Sequence, residues 1–312
     1  MVQEEILVSI RCTVYNHAPY LRRCLDGFVM QKTNFRFEAF VHDDASTDES
    51  TSIIQEYAEK YPDIIKPYLE KENIYSKNDG RFRSITYSPS LLRGKYVAIC
   101  EGDDYWTDPF KLQKQFDYME AHTDCTLCFH NALTHWYDSD RPDEIFAQIE
   151  DRDYTGLELN TRWYAPTASF FFRASLLEGF VKLLEGRKFL IQGDIPLVTY
   201  CANNGTIHGL SDIMCVYGKH ANGWTHFDDA AKSFAAGRSW EECRGFFGKE
   251  YVGITSTLMT GYYMAAIGRA LKEKNWKVLF KACYRGILRQ PITGIRALMR
   301  IPAERKARLN AG

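Results

Sequence analysis

Apolar and polar residues alternate with period two over Phe35–Val41 ("FRFEAFV"), the pattern of a half-buried strand. Just before it, Leu21, Cys24, Leu25, Phe28 and Val29 fall at offsets of three and four, the spacing of one helix face. The β-rich run Ile6–Val14 leads into that helix and Pro19 suits its first turn, so these segments form a strand-helix unit. A second unit follows. "HDDASTD" supplies Ser46, Thr47 or Asp48 as a cap for the helix in "ESTSIIQEYAEKY", which Pro62 stops. Asp63–Leu69 reads as a short strand and Glu70–Ser90 as a polar loop. Gly94 in "LLRGKYVAIC" marks a passage from helix to buried strand, and Asp108–Pro109 form an N-cap and N1 pair for the helix in "FKLQKQFDYMEAH".

The middle of the chain is mixed. "TLCFHNALTHWY" is strand-like, Asp138–Tyr154 is an acidic surface excursion, and Thr167–Arg173 is a strand leading into the helix "ASLLEGFVKLLEG". Asp194 and Pro196 open a helix that runs to Gly205. The strand runs "TIHGL" and "IMCVYG" follow, then the polar loop "KHANGWTH", in which Lys219 and His220 are available to meet phosphate or metal. Beyond Trp224 the pattern is helical. Strands alternating with helices imply a mostly parallel sheet covered on both faces, with ligands outside the carboxyl ends of its strands.

Composition limits what this architecture can do. A length of 312 residues with 45% hydrophobic and 25% charged positions fits about two globular domains, and a net charge of −1 gives no reason to expect nucleic acid as a partner. Nine cysteines without a framework fit a reducing compartment. A basic-then-apolar leader and a long apolar span are both missing, so the expectation is a cytoplasmic protein or one held on the inner face of a membrane. The second option has its own signal: Lys272–Leu309 carries eleven Lys or Arg against two Glu, interleaved with aromatic and aliphatic residues. Such a tail either lies along an anionic bilayer or packs on its own domain.

Two acidic clusters stand at strand ends: Asp43/Asp44, and Glu101/Asp103/Asp104 in "CEGDDYWTDPFK". Either cluster by itself is as well explained by a turn or a helix cap; two at the same sheet edge point to something positive shared between the carboxylates, a metal ion, a basic side chain or a helix N-terminus. Tyr105 and Trp106 present flat apolar faces that suit a sugar ring or the core.

The series "VSIRCTVYNHAPYLRRCLDGFVMQ", "FVHDDASTDES", "GKYVAICEGDDYWTDPFKLQKQ" and "GDIPL" resembles the family 2 glycosyltransferases, inverting enzymes of the GT-A fold, over roughly the first 225 residues. The resemblance implies a Rossmann-like α/β domain over 1–225; the helical, basic extension over 226–312 is read from the residues alone, since the family pattern does not cover it. It implies a nucleoside-diphosphate sugar donor and a glycan or lipid-linked acceptor in surface polysaccharide or glycolipid synthesis. It gives Asp43 and Asp44 to the base and ribose, with Glu101, Asp104 and Trp106 on the nucleotide-sugar side. Glu101 stands where the family has the first Asp of its DxD segment. Asp103 takes the second place and, with His220, would hold Mn2+ or Mg2+. Asp194 falls where the family has its catalytic base. Two alternatives remain from the residues: a non-catalytic sugar- or nucleotide-binding protein of the same fold, and a nucleotidyltransferase, although the latter normally needs a glycine-rich cradle that "CTVYNHAPY" lacks.

Overall fold

The computed structural model describes residues 5–77, 79–162, 164–187, 190, 193–221, 223, 229–244 and 247–288. Most of the polar loop after His220, and the tail beyond Leu288, therefore lie outside the described residues. The chain divides into two compact units, Met1–Lys188 with Leu197–Ala221, and Phe189–Pro196 with Asn222–Gly312.

In chain order the elements of the first part are β1 (Ile6–Val14), α1 (Ala18–Val29), β2 (Arg36–Asp43), α2 (Ser50–Lys60), β3 (Ile65–Leu69), α3 (Arg81–Thr86), β4 (Tyr96–Ile99), β5 (Tyr105–Trp106) and α4 (Lys111–Ala121). Then come β6 (Cys125–Trp136), β7 (Glu144–Ile145), β8 (Arg152–Tyr154), α5 (Gly156–Thr161), β9 (Phe171–Arg173), α6 (Leu177–Leu184), α7 (Asp194–Ala202) and β10 (Thr206–Lys219). One sheet runs β3-β2-β1-β4-β9-β6-β10-β5, with β7 on β6 and β8 on β10. β1 to β4 pair in parallel, β9 lies antiparallel between β4 and β6, and β6 and β10 are parallel again.

Alternation along β1 explains its two buried faces. Val8, Ile10, Cys12 and Val14 pack with Leu21, Cys24, Leu25 and Phe28 of α1 in the core. The opposite face is polar but satisfied: Ser9 donates to Glu38, and Arg11 and Thr13 both donate to Glu101. Gly94 lets the chain cross β1 closely, since an added Cβ would sit 2.5 Å from the Ser9 nitrogen.

Local expectations shift in four places. The polar segment 70–90 contains α3, and before Gly94 the chain makes a single turn with Leu92 N–H on Ser88 O instead of a helix. Thr167–Ser169 winds as a 3₁₀ turn, so only Phe171–Arg173 of that run pairs as a strand. The two runs after Gly205 form one strand, β10, whose register slips between Leu210 and Cys215. Ser211 and Asp212 are exposed at that slip, which breaks the alternation seen in the sequence.

The second unit is helical: α8 (Ala230–Cys243), α9 (Val252–Glu273) and α10 (Trp276–Cys283), followed by a π turn at Tyr284–Leu288. Gly237 of α8 meets the Tyr263 ring of α9, and the Tyr263 hydroxyl donates to Glu241, which also pairs with Arg238 and Arg285. Among the described residues no helix is long and apolar enough to cross a membrane.

Candidate active site

The double reversal at β9 leaves β6 and β10 running in the direction of β1–β4, so the loops after β1, β2, β4 and β10 emerge at one sheet edge. Asn16 after β1 and Ala45 after β2 both take left-handed backbones, with φ of 56° and 60°. Their bends are tied together. The Asn16 and His17 N–H groups donate to Ser46 Oγ and Ser50 Oγ, each at 2.9 Å, and the Thr47 N–H donates to Asn16 Oδ1 at 2.7 Å. Asp48, one of the expected caps of α2, accepts the Ser50 N–H on Oδ1 and the Ala18 N–H on Oδ2, so one carboxylate serves the starts of two helices.

Asp43 closes the same loop, accepting the N–H and hydroxyl of Ser46 on Oδ1 and the Thr51 hydroxyl on Oδ2. Asp44 reaches the other way and accepts the Ile74 and Tyr75 amides at 2.7 and 3.0 Å. Burial raises its carboxyl above the usual range in spite of these amides.

The acidic cluster after β4 splits into three different environments. Glu101 turns to the polar face of β1, where Arg11 pairs with it at 2.8 Å and Thr13 donates to it. Asp104 is only 3% exposed and accepts the Gly218 N–H at 2.8 Å. Burial first, and then the charge of Asp103, push its carboxyl well up. Asp103 itself faces two imidazoles. His220 Nε2 lies 3.1 Å from its Oδ2, and one nitrogen each of His17 and His220 and one Asp103 oxygen lie within 4.8 Å of one another. Burial works to raise the Asp103 carboxyl, but His17 and His220 outweigh it and hold the carboxyl below its ordinary value.

His17 Nδ1 is buried without a hydrogen-bond partner, which is costly unless a ligand takes the lone pair or the proton. Gly102 leaves it room, since a Cβ there would come within 2.8 Å of that nitrogen. Tyr20 stands 4.6 Å from the His220 ring and 4.2 Å from Tyr137, whose hydroxyl reaches the Asp103 carbonyl at 3.3 Å. The donor set of two imidazoles and one carboxylate is one that a divalent ion such as Mn2+ accepts, while Mg2+ prefers oxygen alone.

One expected site residue is placed elsewhere. Trp106 is 2% exposed, donates its indole N–H to Ala168 O at 2.9 Å and packs on Phe28, so it is a core residue without a face for a sugar. Asp194 occupies the first turn of α7, and its Oδ1 accepts the Ile195 N–H at 2.8 Å. His17, Tyr20 and Tyr137 were not singled out from the sequence. The spacing of His17 behind β1, one residue after Asn16, was the available signal.

The family model for Glycosyl transferase family 2 matches residues 9–180. An uncharacterised protein of Mycobacterium tuberculosis is 34% identical over 242 residues, 76% of this chain and 64% of that protein's length. Among solved structures, S. aureus TarS 1-349 in complex with UDP-GlcNAc aligns with a TM-score of 0.61 at 16% identity, over 90% of this chain and 81% of that one. The mannosyltransferase PcManGT from Pyrobaculum calidifontis, in complex with GDP-Man and Mn2+, aligns with a TM-score of 0.55 at 17% identity, over 96% and 87%. These two likenesses are of fold.

Proposed function

Because the chain belongs to Glycosyl transferase family 2, we propose that it is a metal-dependent, inverting hexosyltransferase. It would move a sugar from a nucleoside-diphosphate sugar to a hydroxyl of a glycan or lipid-linked acceptor in cell-surface polysaccharide or glycolipid synthesis. The convergence of His17, Asp103 and His220 from three strand ends carries this reading. The UDP-GlcNAc bound to TarS and the GDP-Man and Mn2+ bound to PcManGT support the same donor class.

When bound, a divalent cation would neutralise the pyrophosphate of the leaving nucleotide. His17, Asp103 and His220 would hold it, and their donor chemistry favours Mn2+ over Mg2+. Tyr20 and Tyr137 would keep the His220 ring oriented. Asp43 and Asp44 fix loops that would face the nucleotide, and Glu101 holds its end of the loop against Arg11. Asp194 is the proposed base, taking the acceptor's proton as the hydroxyl attacks from the face opposite the leaving group.

Calorimetry with UDP and GDP, each with and without Mn2+, tests the reading. Mn2+ should tighten binding of one nucleotide by about tenfold or more, and Asp103→Ala should abolish that gain. His17→Ala should weaken Mn2+ binding by about tenfold or more, since even loss of an outer partner of a metal ligand costs that much. Unchanged Mn2+ dependence in Asp103→Ala would remove the cluster from the chemistry.

A further inference from the structure

α10 is built with its small residues inward and its large ones outward. Ala282 is fully buried, and Gly286 in the π turn is buried where an added Cβ would lie 2.7 Å from the Tyr263 side chain of α9. Trp276, Phe280, Tyr284 and Leu288 are 58, 72, 55 and 71% exposed. They recur at every fourth position and so stand one above another along one side. A helix that only packs on its own domain shows the opposite polarity.

The same stretch is basic. Lys272, Lys274, Lys277 and Lys281 are exposed, and among the described residues none has a carboxylate partner. Glu273, the only acidic residue between 271 and 288, is engaged with the Ala230 N–H. At about 100° per residue, Lys277 and Lys281 flank Trp276 and Phe280 rather than oppose them.

We infer that this face of α10 lies on an anionic lipid surface, its aromatic rings at the boundary between headgroups and acyl chains and its lysines among the lipid phosphates. Trp and Tyr rings have apolar bodies and polar tips suited to that boundary, and lysine stems reach from it into water. A protein partner fits less well, because the centres of protein interfaces are poor in lysine and this stripe would bury two cations with no acid beside them. A second copy of the chain would bring the same unpaired lysines to the contact. The sequence of 289–309 adds six Lys or Arg against one Glu, which is charge of the same sign.

Co-sedimentation of the full chain with phosphatidylcholine vesicles, with and without phosphatidylglycerol, tests this. The chain should pellet with the anionic vesicles more readily than with the neutral ones by about a hundredfold or more, and less so as salt rises. Lys277→Gln with Lys281→Gln should lower that preference by about 25-fold, since each lysine at the surface is worth about fivefold. Trp276→Ser with Phe280→Ser should weaken binding at all salt concentrations. All four positions are exposed, so these variants should melt with the wild type, and they should bind nucleotide as it does. Equal pelleting with neutral and anionic vesicles, or no effect of either double variant, would overturn the inference. So would a lipid-free dimer, seen by sedimentation velocity, that Trp276→Ser with Phe280→Ser dissolves, because the face would then be a contact between copies.

Discussion

Lys111 is wholly buried, and its ammonium has no carboxylate partner among the described residues. It donates to Gln115 Oε1 at 2.6 Å and lies 4.1 Å from the centre of the Trp106 ring, so a hydrogen bond and a cation–π contact replace its water. These do not match hydration, and burial pulls its pKa down to about 8. The unfolded chain holds that proton up to about 10.4, so over the interval between the two values it binds more protons than the folded chain, and stability rises with pH. Lys111→Met should therefore raise stability at pH 7 by about 1–3 kcal/mol and flatten the rise on the alkaline side. Thermal melts of both proteins from neutral to alkaline pH would show it. A Met variant that melts below the wild type at neutral pH would mean that the Gln115 and Trp106 contacts outweigh burial. The charge at position 111 was visible in the sequence, but its burial was not. Lys111 occupied a helix start beside Asp108, where a solvated lysine is the ordinary outcome.

At the scale of elements, the site depends on how closely the end of β10 approaches the loop after β4. A Cβ at Gly218 would lie 2.2 Å from the Asp103 carbonyl oxygen, a contact with backbone that no rotamer can relieve. Asp104 holds the same point through the Gly218 N–H, and His220 stands two residues further on. Gly218→Ala should push the two segments apart, costing about 1–3 kcal/mol, and weaken Mn2+ binding by about tenfold as the Asp103–His220 contact opens. Thermal melts with a titration of free Mn2+ would check both effects, and unchanged values in both would sink the argument. This pairing was only partly legible beforehand. Two acidic clusters at strand ends could be read because the strands before them announced themselves, Phe35–Val41 by alternation and Tyr96–Cys100 as a continuous apolar run after Gly94. His17 could not, because its partners come from segments distant in sequence; Asp103 and His220 alone are 117 positions apart. α3 was hidden for another reason, being six residues long with few apolar positions.

At the scale of the whole chain, the first unit is built on a sheet in which the loops after β1, β2, β4 and β10 share one edge because β9 is inserted antiparallel between β4 and β6. Strand-helix alternation announced the parallel half, whereas nothing in "FFR" records its direction. The edge so formed gathers the groups proposed for donor binding, and the proposed reaction also needs a base that donor binding does not need. That separation gives Asp194 a test of its own. Asp194→Asn keeps the side-chain shape and an oxygen that can still accept the Ile195 N–H, so α7 should start as before. The amide has no affinity for the acceptor's proton. Affinity for the donor nucleotide with Mn2+ should therefore stay near that of the wild type, while transfer slows by about two to four orders of magnitude. Asp103→Ala should show the reverse order of loss, failing first at donor binding. Calorimetry for the nucleotide and a coupled assay of nucleoside-diphosphate release under saturating donor would separate the two variants. If Asp194→Asn transferred sugar within about tenfold of the wild type, a contribution smaller than general base catalysis supplies, Asp194 would be a helix-starting residue and the base would have to be sought elsewhere.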